Sequence, residues 1–130
     1  MKKSPHRNKT TSQLKKCLDK YFSIYIRQKY ADENGEVSCY TCGERKHYKQ
    51  MQNGHFVSRV YLATRFNEKN CRPQCVGCNL FGNGKVPIFA EKLEDEEEGI
   101  TSSLYREANK IVKDYPYLSE IEKYKSLCKL

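Results

Sequence analysis

The stretch Cys39-Tyr40-Thr41-Cys42, followed after 32 residues by Cys75-Val76-Gly77-Cys78, decides how this chain of 130 residues is read. Each pair spaces two sulfurs by two residues, about one turn, so four thiolates can close a tetrahedron around one zinc ion at ~2.3 Å. Gly43 and Asn79 follow the second cysteine of each pair and suit the tight backbone there. Seven cysteines is an odd number, and short paired spacing in a reducing compartment points to metal rather than to disulfides. Cys71 competes as a ligand but breaks the two-residue spacing. Cys17 and Cys128 fall on apolar helix faces and are expected in the core. A site of four sulfurs leaves no open coordination position, so the expected zinc builds the fold and does no chemistry. The gap between the pairs exceeds that of a minimal zinc ribbon, so something is inserted.

The composition agrees with a small stapled fold. Apolar residues make up 38% of the chain and charged residues 31%, with ten tyrosines and no tryptophan. A core of that size gains from a metal. No apolar run approaches the roughly 20 residues needed to cross a bilayer, and the N-terminus lacks an apolar signal core. A cytoplasmic protein without membrane contact is expected. The net charge of +8 is uneven: residues 1–30 carry nine Lys/Arg against the single Asp19, whereas residues 91–130 carry seven against ten acids. Four thiolates and one zinc ion would leave the chain basic. Positive charge gathered in one half is the footprint expected for a nucleic-acid backbone, although a solvated cationic tail has the same composition.

The pattern along the chain is α+β. Residues 1–11, polar and basic with Pro5, read as a flexible arm, and residues 12–130 as a single domain. Leu14, Cys17, Leu18, Tyr21, Phe22, Tyr25 and Ile26 recur at helical spacing, which predicts a helix over 12–31 with Lys15, Lys16, Lys20 and Arg27 on its other face. Residues 36–66 read as short strands and turns, with turn signals at Thr41-Cys42-Gly43 and Asn53-Gly54. Residues after Cys78 open a short helix that Gly82 and Gly84 interrupt, closing a core over 36–85. The C-terminal part, 86–130, predicts helices over 86–97, 103–113 and 119–129, with Ser119 and Glu122 as a capping box. The acidic run Glu94–Glu98 has the wrong sign for a helix C-terminus and is expected to fray without chemical use.

Within the insertion, Asn53-Gly54-His55-Phe56-Val57-Ser58-Arg59, then Tyr61-Leu62-Ala63-Thr64-Arg65-Phe66, Asn70 and Cys75-Val76-Gly77-Cys78-Asn79 stand in one order. This order resembles the phage lambda NinG (Rap) family of recombination endonucleases and, more distantly, junction-resolving HNH nucleases of the His-Me finger group. The resemblance covers about residue 14 to the C-terminus, most specifically 53–84. It implies a zinc-bound ββα-metal (treble-clef, HNH) core with an N-terminal basic helix and C-terminal helices. It also implies a phage-encoded or prophage-like protein in a bacterial cell, acting on branched recombination intermediates such as Holliday junctions or D-loops. His55, Asn70 and Asn79 match the three letters of HNH. His55 would be the general base, since its ordinary pKa of about 6.5 leaves it largely neutral. Asn70 would pin the loop that orients the imidazole, and Asn79 would offer a carboxamide oxygen to a catalytic Mg²⁺ or Mn²⁺.

One departure stands out. Wider HNH nucleases often carry Asp before the catalytic His as an anionic metal ligand, and here that residue is Gly54. Asn83, four residues after Asn79, is the first candidate substitute if the helix continues, and Glu68 the second. Arg59, Arg65 and Arg72 flank the loop as candidate phosphate clamps, and His47 is either DNA-facing or merely exposed. Cutting both strands of a branch predicts a homodimer, built through the C-terminal helices. The rival class is a non-catalytic zinc-dependent DNA-binding protein, in which His55 is structural. A cross-braced ubiquitin-ligase-like zinc domain would require more ligand pairs than this chain has.

Overall fold

In the computed structural model, residues 8–130 are described; the first seven residues of the expected arm lie outside them. Helix α1 (Thr11–Lys29) starts one residue earlier than the apolar pattern predicts because Thr10 caps it. The Thr10 hydroxyl accepts from Gln13 N at 3.2 Å while Gln13 Oε1 accepts from Thr10 N at 2.9 Å, so two otherwise orphaned donors are satisfied reciprocally. Leu18, Phe22 and Ile26, at i, i+4 and i+8, form its buried stripe.

Strands β1 (Glu36–Ser38) and β2 (Arg45–His47) pair antiparallel around the Cys39–Cys42 turn. Strands β3 (Gln52–His55) and β4 (Cys71–Gln74) form a second antiparallel pair, with His55 opposite Cys71 and Gly54 opposite Arg72. The loop between them carries the four-residue helix α2 (Leu62–Arg65). A single π-helical turn, Gly77–Phe81, follows β4, and Gly84, at φ 82°, breaks the helical run before α3 (Val86–Glu96). Helices α4 (Ile100–Ala108) and α5 (Tyr117–Leu127) complete the chain. No helix among the described residues is long and apolar enough to cross a membrane.

The expected helix over 103–113 lies earlier, because Glu94 accepts from Gly99 N and Thr101 N and so anchors the start of α4. The expected capping box at Ser119 is absent. Helix α5 begins two residues sooner, after Pro116, and the Ser119 hydroxyl bonds back to the Pro116 carbonyl.

Three apolar clusters hold these pieces. Leu18, Phe22 and Ile26 of α1 meet Phe66, Cys71 and the Tyr117, Ile121, Tyr124 face of α5; Phe22 meets Phe66 and Tyr124 edge-on. Phe56 and Val57 pack against Phe89, Leu93, Ile100, Leu104 and Ala108. Val37 and Met51 pack around Cys39, Cys75 and Cys78. The buried stripes of α3, α4 and α5 are thus covered within one chain, while Ile88, Tyr105, Leu118 and Leu127 of the same helices stay exposed.

Candidate functional site

Zinc-ligand geometry sits where the two strand pairs meet. The ligand atoms of Cys39, Cys42, Cys75 and Cys78 all lie within 4.8 Å of one another. Cys42 Sγ and Cys75 Sγ are 3.7 Å apart, close to the edge of about 3.8 Å that follows for a tetrahedron with Zn–S of ~2.3 Å. Backbone N–H groups of Glu44 and Cys78 point at Cys42 Sγ and Cys75 Sγ, each at 3.4 Å, and stabilise thiolate charge. The donor set therefore fits one zinc ion. Cys71 is not in the cluster; it is fully buried against α1, and burial pushes its thiol far up. Cys17 packs on the α1–α5 core and the Cys128 thiol donates to the Tyr21 carbonyl, as core residues would.

A cavity of about 550 Å³ opens beside this cluster, lined by His55, Asn79 and Asn83, with Asp19 and Ser23 of α1 forming its opposite wall. His55 ends β3, and its Nε2 lies 2.9 Å from the Arg65 carbonyl oxygen. A carbonyl only accepts, so Nε2 carries the proton in the neutral ring, and Nδ1 keeps its lone pair. Burial pushes the imidazolium down from the ordinary histidine range, more than the Arg65 carbonyl and the Asp19 charge hold it up. Asn70 is fully buried. Its Oδ1 accepts from Val57 N at 2.8 Å, and its Nδ2 donates to the carbonyls of Val57 and Thr64 at 3.0 and 3.2 Å. The amide therefore ties both ends of the loop that runs from His55 to the carbonyl that holds it. Asn79 Nδ2 donates to Gln52 Oε1 at 2.7 Å, which leaves its carbonyl oxygen for another partner.

Gly54 has a steric cause. A Cβ there would lie 2.0 Å from Gln74 Oε1 and 2.6 Å from its Cδ. Gln74 cannot swing away freely, because it is fully buried and its Nε2 donates to Thr41 Oγ1 and to the Gly84 carbonyl. The space an Asp side chain would need is filled by the amide that links the first cysteine turn to the loop after the second. Of the proposed substitutes, Asn83 reaches the cavity by a different route from the one expected. The helix does not continue to it; Asn83 sits at φ 53°, in the left-handed region that asparagine tolerates. Glu68 is elsewhere, held by Lys29 and the Tyr124 hydroxyl. The carboxylate that does line the cavity is Asp19, which sequence reading counted only as a lone acid in a basic segment. Its i, i+4 spacing from Ser23, which puts both on one face of α1, is the available signal. Asp19 grips the Arg65 guanidinium at 3.0 and 2.5 Å, and the same Arg65 holds His55 through its carbonyl.

The expected DNA-facing cations divide. Arg72 is buried, paired with Glu96 at 3.1 Å and flanked by the rings of Tyr30 and Tyr40, so it is part of the fold and, contrary to expectation, is not placed to clamp a phosphate. Arg65 is committed to Asp19, and Arg27 to Ser23 and the Tyr48 carbonyl; neither presents a free fork. Lys15, Lys16, Lys20 and Arg59 have no ion-pair partner among the described residues, and Arg59 lines the cavity. His47 is partly buried, stacks on Tyr48 and caps the turn at Lys49. The acidic run does not simply fray: Glu94 caps α4, Glu96 neutralises Arg72 and Glu97 pairs with Lys69.

A family model described as "Bacteriophage Lambda NinG protein" matches residues 1–127. No curated protein and no solved structure matches the chain.

Proposed function

Because the chain belongs to the bacteriophage lambda NinG family, we propose that it is a metal-dependent DNA endonuclease of the HNH type, acting on branched DNA in phage recombination. The observation that carries this reading is His55: a half-buried imidazole with Nε2 fixed on the Arg65 carbonyl, facing Asn79 and Asn83 across one cavity. The β3–β4 pair followed by the π-helical turn supports a ββα-metal arrangement, and the four cysteines support a zinc frame around it.

In this mechanism DNA lies over the basic face of α1 and Arg59, and a phosphodiester enters the cavity. His55 Nδ1 takes a proton from the water that attacks phosphorus. Its depressed pKa keeps the ring unprotonated and ready at neutral pH. Asn70 holds the loop, and Asp19 holds Arg65, so the imidazole keeps one orientation. Asn79 and Asn83 would hold Mg²⁺ or Mn²⁺, which supplies positive charge to the scissile phosphate and the leaving 3′ oxygen. Two neutral carboxamides fit an ion that keeps most of its water and takes its remaining ligands from the substrate phosphate. Cutting both strands of a branch calls for two copies of the chain.

A second reading, a zinc-dependent DNA-binding protein without catalysis, is favoured by one observation: Gly54 supplies no carboxylate, and Asp19 is engaged with Arg65. The two separate on incubating a four-way junction with Mg²⁺ or Mn²⁺ and either the native protein or His55→Ala. Nicking by the native protein, reduced about 10²–10⁴-fold in the variant, is expected for a lost general base. Equal nicking by both, or none by either across several metals, sinks the nuclease reading.

A further inference from the structure

Four of the five phenylalanines, Phe22, Phe56, Phe66 and Phe89, are at most 7% exposed; Phe81 is 82% exposed, the most exposed aromatic side chain among the described residues. It ends the π-helical turn that carries Asn79, and its neighbour Leu80, 57% exposed, lines the cavity. The segment is held firmly. Gly82 N bonds to the Gly77 carbonyl at 2.7 Å, Asn79 N to the Cys75 carbonyl at 2.9 Å, and the Gly84 carbonyl takes Gln74 Nε2. Asn83, Gly84 and Lys85 are successive left-handed residues, a conformation that persists in non-glycine residues only where surrounding contacts impose it. An apolar ring is thus presented to solvent on a fixed support, adjacent in sequence to Leu80, which lines the same cavity as Arg59, and four residues before Lys85.

Accepting the cavity as a DNA-cutting site, we infer that Phe81 stacks on an unpaired nucleobase beside the phosphate held there, with Leu80 against its edge. The preferred substrate is then DNA whose bases are already open at a branch or gap. Bases within continuous duplex are stacked on both faces and offer none to Phe81, whereas an open base stacks without the cost of unstacking. A second copy of the chain is the poorer occupant, because a protein seated on Leu80 and Phe81 would close the cavity mouth. Nucleic acid entering the cavity carries a neighbouring base past Leu80, and its phosphates answer the positive charge of Arg59.

The test uses zinc-loaded full-length His55→Ala protein in Mg²⁺, with and without Phe81→Ala. Binding is measured by fluorescence anisotropy to a gapped duplex and to a continuous duplex of equal length. Loss of one stacked base predicts weakening of about fivefold to a hundredfold on the gapped DNA, no change on the duplex, and recovery with Phe81→Trp. Thermal unfolding should not move, since the ring touches little. An equal loss on both DNAs, no loss on either, or no preference for the gap in the protein bearing Phe81 overturns the inference. So does sedimentation showing that Phe81→Ala converts a dimer to a monomer. Because binding is read in a protein without His55, a retained gap preference together with native protein that never cuts would sink the nuclease reading alone.

Discussion

Replacing Gly54 by Ala tests the packing that governs the residue before His55. Gly54 lies in β3 opposite Arg72, and its φ is not in the left-handed region. On backbone entropy alone, Ala at such a position would stabilise by about 0.4–1 kcal/mol. The added Cβ, however, would stand 2.0 Å from Gln74 Oε1 and 2.7 Å from its Cγ. Moving Gln74 aside sacrifices its bonds to Thr41 Oγ1 at 3.1 Å and to the Gly84 carbonyl at 2.9 Å. At about 1 kcal/mol each, with a buried carbonyl left unpaired, that loss is about 2–3 kcal/mol, so the net destabilisation is about 2 kcal/mol. Gln74→Ala alone should cost a similar amount through the same two bonds. In that background the clash is gone and Gly54→Ala should stabilise, giving a coupling energy of about 2–3 kcal/mol. The assay is urea unfolding of all four proteins at fixed zinc concentration, since free metal shifts apparent stability. If Gly54→Ala is neutral or stabilising on its own, or the two costs add to within about 0.5 kcal/mol, the reasoning is refuted.

Stripping zinc with a chelator, or Cys78→Ser, should collapse the strand pairs and the cavity together, seen as loss of cooperative thermal unfolding and of DNA cutting; a chelated protein with an unchanged melting curve would exclude a structural zinc. Asn70→Ala removes three hydrogen bonds and should cost about 3 kcal/mol in chemical denaturation. Asn70→Asp, which sets a carboxylate oxygen against the same two carbonyls in a fully buried site, should cost at least as much. His55 is harder to protonate in the folded chain than in the unfolded one. Stability should therefore be undiminished above about pH 6.5 and fall as the pH drops from there toward the lower folded-state value; His55→Gln should flatten that slope in melts taken from pH 7.5 to 5. Asp19→Asn frees Arg65 and so loosens the carbonyl that holds His55. Cutting should fall in kcat more than in KM, and unchanged kinetics would show that the pair is only structural.

Spacing along the chain carries some of this protein plainly and the rest not at all. The cysteine pairs are legible because two thiolates two residues apart in a tight turn can bind one ion whatever surrounds them, and the structure draws all four sulfurs together. Helix α1 is legible because a 3.6-residue stripe needs a core somewhere. Its partner is not legible: α5 closes on it from about 100 residues away, and nothing local in Tyr117, Ile121 or Tyr124 names α1. The start of α5 differs from its sequence pattern because Ser119 and Glu122 satisfy a capping motif that Pro116 pre-empts. Arg72 looks like a clamp in sequence, since a cation beside a loop carries no mark of the Glu96, Tyr30 and Tyr40 that enclose it.

Consecutive residues alone reveal the two cysteine pairs, the basic N-terminal helix, the α+β pattern and the resemblance to one phage family. Which side chains share the cavity with His55 depends on how distant segments pack. Asp19 joins it across 46 residues through Arg65, Glu68 is turned away to α1 and α5, and Gln74 takes the room an Asp at position 54 would occupy. The reason is physical. Metal-ligand spacing and helical periodicity are properties of consecutive residues, whereas excluded volume and ion pairing depend on segments that meet only once the three clusters have packed.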